Sequence, residues 1–306
     1  MTFTLILEQT FNGLQAGVTL FLVAAGLTLI LGIMDFVFLA HGSQVMIGAY
    51  AAAAITLATG NFYLGVLLAI PVTFVSGYLL EYLIIRHLYR RDHMEQVLAT
   101  FGLILFFNEA IRVSFGPAAL FSDLPPSLSG FVEILPATPY PAYRLGVIIV
   151  GLFCAVGIHL LVSRTRIGAM VRAGANNPEM TAALGINIKT LFRFIFATGA
   201  CLAGVAGMML GPLTAVQPGM GEPLLILSLV VIIIGGIGSV RGAFVAAIIV
   251  GLVDTLGRVF LPAILRLFVE QATADGAGPA LASMLVYILM AVVLIFRPTG
   301  LFPAKG

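Results

Sequence analysis

The sequence predicts an all-α, polytopic membrane helix bundle of eight or nine spans, some of them broken. Three observations predict it. Only 9% of the 306 residues carry a charge, against about 25% in an ordinary soluble domain. Apolar residues make up 60%, and the mean hydropathy is +1.13. Uncharged runs recur at lengths near the roughly 20 residues that a helix needs to cross the hydrocarbon core. Residues 1–306 therefore read as a single transmembrane domain.

The spans are set by those runs. The 26 uncharged residues between Glu8 and Asp35 suffice for one long helix. The 45 between Asp35 and Glu81 exceed one helix, and His41-Gly42 and Gly60-Asn61 divide them into two spans. A fourth span covers about 96–115 and carries Asn108, Glu109 and Arg112. A fifth fills the 19 residues between Arg144 and Arg164. The sixth, seventh and eighth occupy 194–211, 223–236 and 243–261, and the last fills the 21 residues between Asp275 and Arg297. The stretches 41–60 and 223–238 are short enough to be broken or partial.

Basic residues set the orientation by the positive-inside rule. Arg86, Arg90 and Arg91 share one loop; Arg164, Arg166, Arg172, Lys189 and Arg193 share another. Arg241, Arg297 and Lys305 fall on the same side of a nine-span chain. Eleven of the fifteen cations thus lie inside, against Arg112, Arg144 and Arg266 outside, with Arg258 within a span. The N-terminus is predicted outside and the C-terminus inside. The external loop, about 116–142, holds Pro117, Pro125, Pro126, Pro136, Pro139 and Pro141, which deny it a regular helix.

Several classes of function are disfavoured. A net charge of +2 with dispersed cations gives no nucleic-acid footprint. Cys154 and Cys201 sit in apolar runs and read as buried thiols. The start lacks a basic signal region, and the closing residues 303–306 lack a prenylation box. No GxxxxGK[ST], HExxH or GxSxG motif occurs, so any ATP must be bound by another chain, and no catalytic or metal constellation assembles.

Polar groups inside spans need partners or an aqueous cavity, and a structural anchor has no use for them. The segment 35–44 places Asp35, His41, Ser43 and Gln44 around Gly42, whose backbone freedom breaks a helix. Two readings stand: a discontinuous helix lining a solute route, with His41, Gly42, Ser43 and Gln44 along it, or a short cytoplasmic turn with His41 bonded to the backbone. Gly48 to Ala54 then form a small-residue run suited to close helix contact. The run Gly235-Gly236-Ile237-Gly238-Ser239 is too rich in glycine for a lipid-facing helix; Gly238 and Ser239 mark either a hinge between packed helices or a second part of the route. Glu109 with Arg112, and Asp254 with Arg258, lie on single helix faces and neutralise one another.

The longest internal loop, about 164–193, carries the sharpest motif. Asn177 is an N-cap, Pro178 suits the first helical position, and Glu179 complements the helix dipole. Met180, Ala183 and Leu184 form an apolar face, flanked by Ala182, and Gly185 stops the helix. A helix this short cannot bury that face alone. It docks in a partner's groove or packs on the chain's own helix ends.

These residues carry a resemblance. Gly26 to Gly32 with Ala40-His41-Gly42 and Gly48-Ala49-Tyr50, then Arg172-Ala173 through Ala183-Leu184-Gly185-Ile186-Asn187, then Gly235 to Ser239 with Gly242-Ala243 and Arg297-Pro298-Thr299-Gly300-Leu301, resemble the permease subunits of branched-chain amino acid ABC importers (LivH type). The resemblance spans essentially the whole chain. It implies a bacterial inner-membrane permease with no cofactor of its own, ATP being hydrolysed by partner subunits. It further implies a second, related permease in a heterodimer, two cytoplasmic ATPases and a periplasmic solute-binding protein. Asn177, Pro178, Glu179, Ala182, Ala183 and Gly185 then fall in the ATPase-coupling loop. The chain departs from the family's Asn-Phe-Ala-His-Gly-Glu run, reading Phe38-Leu39-Ala40-His41-Gly42-Ser43, so that the run loses its amide to Phe38 and its acid to Ser43. The wider family carries other amino acids, amides, urea and small aromatic or carboxylate compounds. An ion-coupled secondary transporter or a channel shares the broken helices, but neither needs a capped loop helix.

Overall fold

A computed structural model describes residues 3–135 and 138–302. Lys305, Pro136 and the rest of 303–306 lie outside the described residues. The helices are α1 (Phe3–Met34), α2 (His41–Thr59), α3 (Phe62–Leu83), α4 (His93–Phe115), α5 (Ala142–Arg164), α6 (Arg166–Asn176), α7 (Pro178–Ala183), α8 (Ile188–Leu210), α9 (Glu222–Gly235), α10 (Val240–Leu265) and α11 (Gln271–Phe296). The loop before α5 forms a hairpin of β1 (Phe131–Leu135) and β2 (Thr138–Pro141), with Phe131 opposite Pro141. Eight of these helices are long and apolar enough to cross a membrane; α9 is apolar but spans only 14 residues. The expected eight or nine spans are therefore eight helices of membrane length and a ninth passage made by the chain after α8 together with the half-length α9.

The centre is α1, packed against α10, α8, α5 and α9. Lipid tails are as apolar as leucine, so close packing must hold the spans together, and small residues permit it. A Cβ on Gly17 would come within 2.8 Å of the Ala247 carbonyl of α10. A Cβ on Gly26 would fall on the Gly199 carbonyl of α8, and one on Gly48 of α2 on the backbone of Gly204. Large apolar side chains such as Phe153, Ile295 and Phe296 instead point outward, as lipid allows.

The chain breaks after α1 at a different place from the one the sequence suggests. Asp35 adopts a positive φ of 48°, and the backbone reverses through Phe36, Phe38 and Ala40, all buried. The next helix starts at His41, and Gly42 lies inside its first turn. Gly42 is thus not the breaker. Its missing side chain makes room for the Gly221 carbonyl, against which a Cβ would collide. His41 lies beside Val23 and Gly26 of α1. Those residues precede the end of α1 by eight to eleven positions, or about 12–16 Å of helix. The 35–44 break therefore re-enters the bundle instead of turning at the surface, while the backbone bond that the turn reading gave to His41 is present.

A second re-entry mirrors the first. After α8, residues 211–221 form turns that reach the loop before β1, where Leu120 and Val216 pair in a short antiparallel bridge. The chain then dips back so that α9 starts beside Gly42. At its other end, Gly236 (φ 103°) and Gly238 (φ 80°) make a tight turn into α10, and Ser239 caps that helix by accepting from the Gly242 amide at 3.1 Å. The amides of Leu301 and Phe302 bond the Ile234 and Gly235 carbonyls at 2.8 and 3.0 Å. The glycine run is a pinned corner.

The loop expected over 164–193 is more ordered than the sequence suggests. Its first half is the helix α6, capped by Thr165, whose Oγ1 accepts from the Gly168 amide at 3.0 Å. Glycines and alanines interleaved with its charges mask its helical period. Lys189 and Arg193, read as loop residues, belong to α8.

Candidate functional site

Local chemistry builds α7 as the sequence predicts. Asn177 Oδ1 accepts from the Met180 amide at 2.9 Å, Pro178 and Glu179 occupy the first turn, and Gly185 takes a φ of 85° past the end. The Gly185 amide donates to the Ala182 carbonyl at 2.9 Å. One residue anchors the helix inward: Thr181 is buried and donates to the Asn177 carbonyl at 2.8 Å. The apolar face does not pack on the chain itself. Met180 is 62% exposed and Leu184 75%, and Asn177, Pro178, Glu179, Ala182 and Ala183 are exposed with them.

Beside α7, the first turns of α8 are tied to α3 and to the turn before α4. Arg193 Nε donates to Glu81 Oε2 at 2.8 Å, and its guanidinium lies 4.7 Å from the Tyr82 ring centre and 5.1 Å from that of Tyr78. The Tyr89 hydroxyl donates to Glu81 Oε1 at 3.1 Å. Burial, together with the adjacent Glu81 carboxylate, pushes the Tyr89 phenol above its ordinary range, so it stays a donor. The sequence gives no signal for this cluster, because 112 positions separate Arg193 from Glu81.

Deeper in the bundle the N-termini of α2 and α9 meet at Gly42 and Gly221, and neither has a side-chain cap. Two positive dipole ends converge there, and the Glu222 carboxylate in the first turn of α9 offsets one of them. His41, Gly42, Ser43 and Gln44 are all buried at this junction. His41 Nε2 donates to the Val23 carbonyl at 3.1 Å, which leaves Nδ1 as an acceptor without a partner. The Ser76 hydroxyl donates to Gln44 Oε1 at 2.9 Å, while Gln44 Nε2 has no partner. On the outer side lie Met46, Tyr50 and Val216, with Phe107, Ile111 and Met220 around them.

The structure does not bring Gly238 and Ser239 to this junction. They line a separate cavity at the basic end, against Gly32 of α1. Glu109 and Arg112 pair at 2.9 Å, as do Asp254 and Arg258, the latter also donating to Ser283 Oγ at 3.0 Å. Asn108 donates from Nδ2 to Glu222 at the start of α9, at 2.7 Å, a contact that spacing alone does not reveal. Among the described residues no group of three or more His, Cys, Asp or Glu side chains is placed to hold a metal ion.

Eight apolar helices of membrane length, two helices that start inside the bundle, and a capped helix presented at one end define a polytopic transport protein of the membrane. The chain belongs to the family described as branched-chain amino acid transport system / permease component, whose model matches residues 9–294. It is 30% identical to the high-affinity branched-chain amino acid transport system permease protein BraD of Pseudomonas aeruginosa, over 96% of this chain and 95% of that protein. It is 25% identical to the LivH permease protein of Escherichia coli K12, over 98% and 96%. It is 28% identical to the probable LivH of Methanocaldococcus jannaschii, over 92% and 88%. No solved structure matches the chain.

Proposed function

We propose that this chain is the permease subunit of an ATP-driven importer of branched-chain amino acids or related small amino acid, amide or carboxylate solutes, and that it catalyses no reaction itself. It sits in the bacterial inner membrane, N-terminus periplasmic and C-terminus cytoplasmic. It pairs with a second, related permease and works with two cytoplasmic ATPases and a periplasmic solute-binding protein. ATP binds to those partners, and their closure pulls on α7. The Arg193–Glu81 contact carries the displacement into α3, and the bundle opens to one side at a time. The solute passes the polar junction at His41, Gly42, Ser43 and Gln44.

The observation that carries this reading is the outward apolar face of α7, because Met180 and Leu184 have no cover within the chain. An ion-coupled transporter or a channel has no use for such a face. The related branched-chain permeases supply the solute class, and the family's transport role supports the absence of an enzymatic activity.

The test is Glu179→Lys and Ala182→Arg, each in the assembled importer. Both side chains are exposed, so membrane insertion is expected to persist while solute uptake separates from ATP hydrolysis. Coupled uptake at the unaltered rate in both variants would sink the proposal. Uptake that survives loss of the ATPases and collapses with a protonophore would favour the ion-coupled alternative.

A further inference from the structure

After α4, and again between α8 and α9, the chain runs irregularly through residues 116–120 and 211–221, which pair through the Leu120–Val216 bridge. Packing fixes their depth. Val216 is buried against Met46, Ala49 and Tyr50 of α2, and the Phe115 ring centre lies 4.9 Å from that of Tyr50. In that stretch of α2, Gly48 meets Gly204 of α8, and Gly204 meets Thr73, midway along α3. α3 is one of the eight helices of membrane length, so the bridge lies near the middle of the bilayer and not at its outer surface.

Hydrocarbon admits irregular backbone only where protein buries it or water reaches it. The chain itself does not bury this backbone: Pro117, Ala118, Thr214 and Gln217 are exposed. Glu109, Arg112 and Ser114 in the last turns of α4, and Glu222 at the start of α9, are exposed beside it. The large exposed side chains midway along α5 and α11, Phe153, Val156, Met284 and Ile288, are apolar instead. The α4–α9 side is thus polar at a depth where other faces suit lipid. One group sets its net charge. Glu109 and Arg112 neutralise each other at 2.9 Å. Glu222 belongs to no ion pair among the described residues, and its Oε1 accepts from Asn108 Nδ2 at 2.7 Å. The positive end of α9 offsets only part of that charge, so the carboxylate needs water or a cation.

We propose that the α4–α9 side lines a water-filled vestibule, the outer half of the solute route, and that Glu222 makes it favour solutes carrying a cationic amino group. The vestibule leads down to the Gly42–Gly221 contact, where α9 begins. The assignment rests on the transport reading, because it gives this face to the solute. A protein partner packed directly on the face would leave it dry, and the test separates the two.

The experiment is thiol labelling of the assembled importer in its membrane. Ala118→Cys and Gln217→Cys, each in a Cys154→Ala/Cys201→Ala chain, meet two membrane-impermeant reagents added from outside. One is the cationic trimethylammonioethyl methanethiosulfonate, the other the anionic sulfonatoethyl methanethiosulfonate. Phe153→Cys and Ile288→Cys are the lipid-facing controls. Labelling is read from the mass of the chain, without transport, so a dry face and a failed importer are told apart. Both test positions are expected to react about tenfold faster than the controls or more, because the thiolate that reacts forms only in water. At Gln217→Cys the cationic reagent is expected to be favoured severalfold beyond its advantage on a free thiol. Glu222→Gln, whose amide oxygen can still accept from Asn108, is expected to abolish that preference, and Glu222→Asp to keep it. If either cysteine variant fails to assemble with the ATPases, Ser114→Cys takes its place. Labelling at the control rate would overturn the proposal. Fast labelling with no charge preference, unchanged by Glu222→Gln, would overturn the role of Glu222.

Discussion

Arg193 at the start of α8 donates from Nε to Oε2 of Glu81 near the end of α3, at 2.8 Å. Glu81 is 1% exposed and Arg193 16%, so the carboxylate has given up water for this one cation, for the Tyr89 hydroxyl and for the aromatic faces of Tyr78 and Tyr82 above the guanidinium. Such a pair adds little net stability, yet losing either half leaves an uncompensated charge out of water. It also fixes α8 to α3 in the second turn of α8, the helix that follows α7.

Removing the anion is expected to destabilise the chain. Glu81→Gln leaves a half-desolvated cation and should cost about 3 kcal/mol, the low end for a broken buried pair because Arg193 keeps some water. A fall in the thermal midpoint in detergent measures it. Arg193→Met in the same chain should recover part of the loss; a double variant less stable than Glu81→Gln alone would refute the pairing argument.

The glycines divide into two classes by what a methyl group would meet. Gly48→Ala drives a Cβ into the Gly204 backbone and should cost about 2 kcal/mol or more, since neither helix can yield locally. Gly102→Ala in α4 and Gly157→Ala in α5 meet nothing within 4 Å and should be neutral or gain up to about 1 kcal/mol of helix propensity. Equal midpoints for Gly48→Ala and Gly102→Ala would show that the α2–α8 contact is not as close as described.

Function and stability should separate on α7. Met180→Asp and Leu184→Asp change exposed side chains and are expected to move stability by no more than about 0.5 kcal/mol. Both should prevent co-purification of ATPase subunits. Asn177→Ala removes the cap and should loosen the same helix by about 1 kcal/mol, with a milder loss of uptake. Retained ATPase binding in both aspartate variants would leave the exposed face without a role.

The polar junction predicts the opposite of an ordinary core substitution. Gln44→Leu loses the bond from Ser76 but also removes a buried amide without a partner, so the stability change should stay within about 1 kcal/mol. Uptake should nevertheless fall strongly if solute passes Gln44. Unaltered uptake in a folded Gln44→Leu variant would remove this residue from the route.

Much of this architecture is legible in the sequence. Hydrocarbon offers no water to unpaired backbone groups, so any spanning segment must be helical and apolar along its length, and composition over about 20 residues is enough to find it. The cap of α7 is equally local: Asn177, Pro178, Glu179 and Gly185 act on groups within a few residues, and their roles do not depend on what packs against them.

Contacts at long separation emerge only in the folded chain. In sequence Gly42 looks like the residue that breaks the helix, yet it is helical and its small size serves the distant Gly221. Glu81 and Arg193 look like a span boundary and a loop charge, yet they pair across 112 positions. Gly238 and Ser239 read in sequence as a hinge or a second part of the route; the fold makes them a tight turn that lines a cavity apart from the 41–44 segment. Composition and short motifs establish that the chain spans a membrane, about how often, and where the capped helix lies, because burial in lipid and helix capping are local demands. Which spans re-enter and which faces stay uncovered is a matter of three-dimensional packing. Backbone contact between glycines and neutralisation of buried charge bring together residues that the chain keeps far apart.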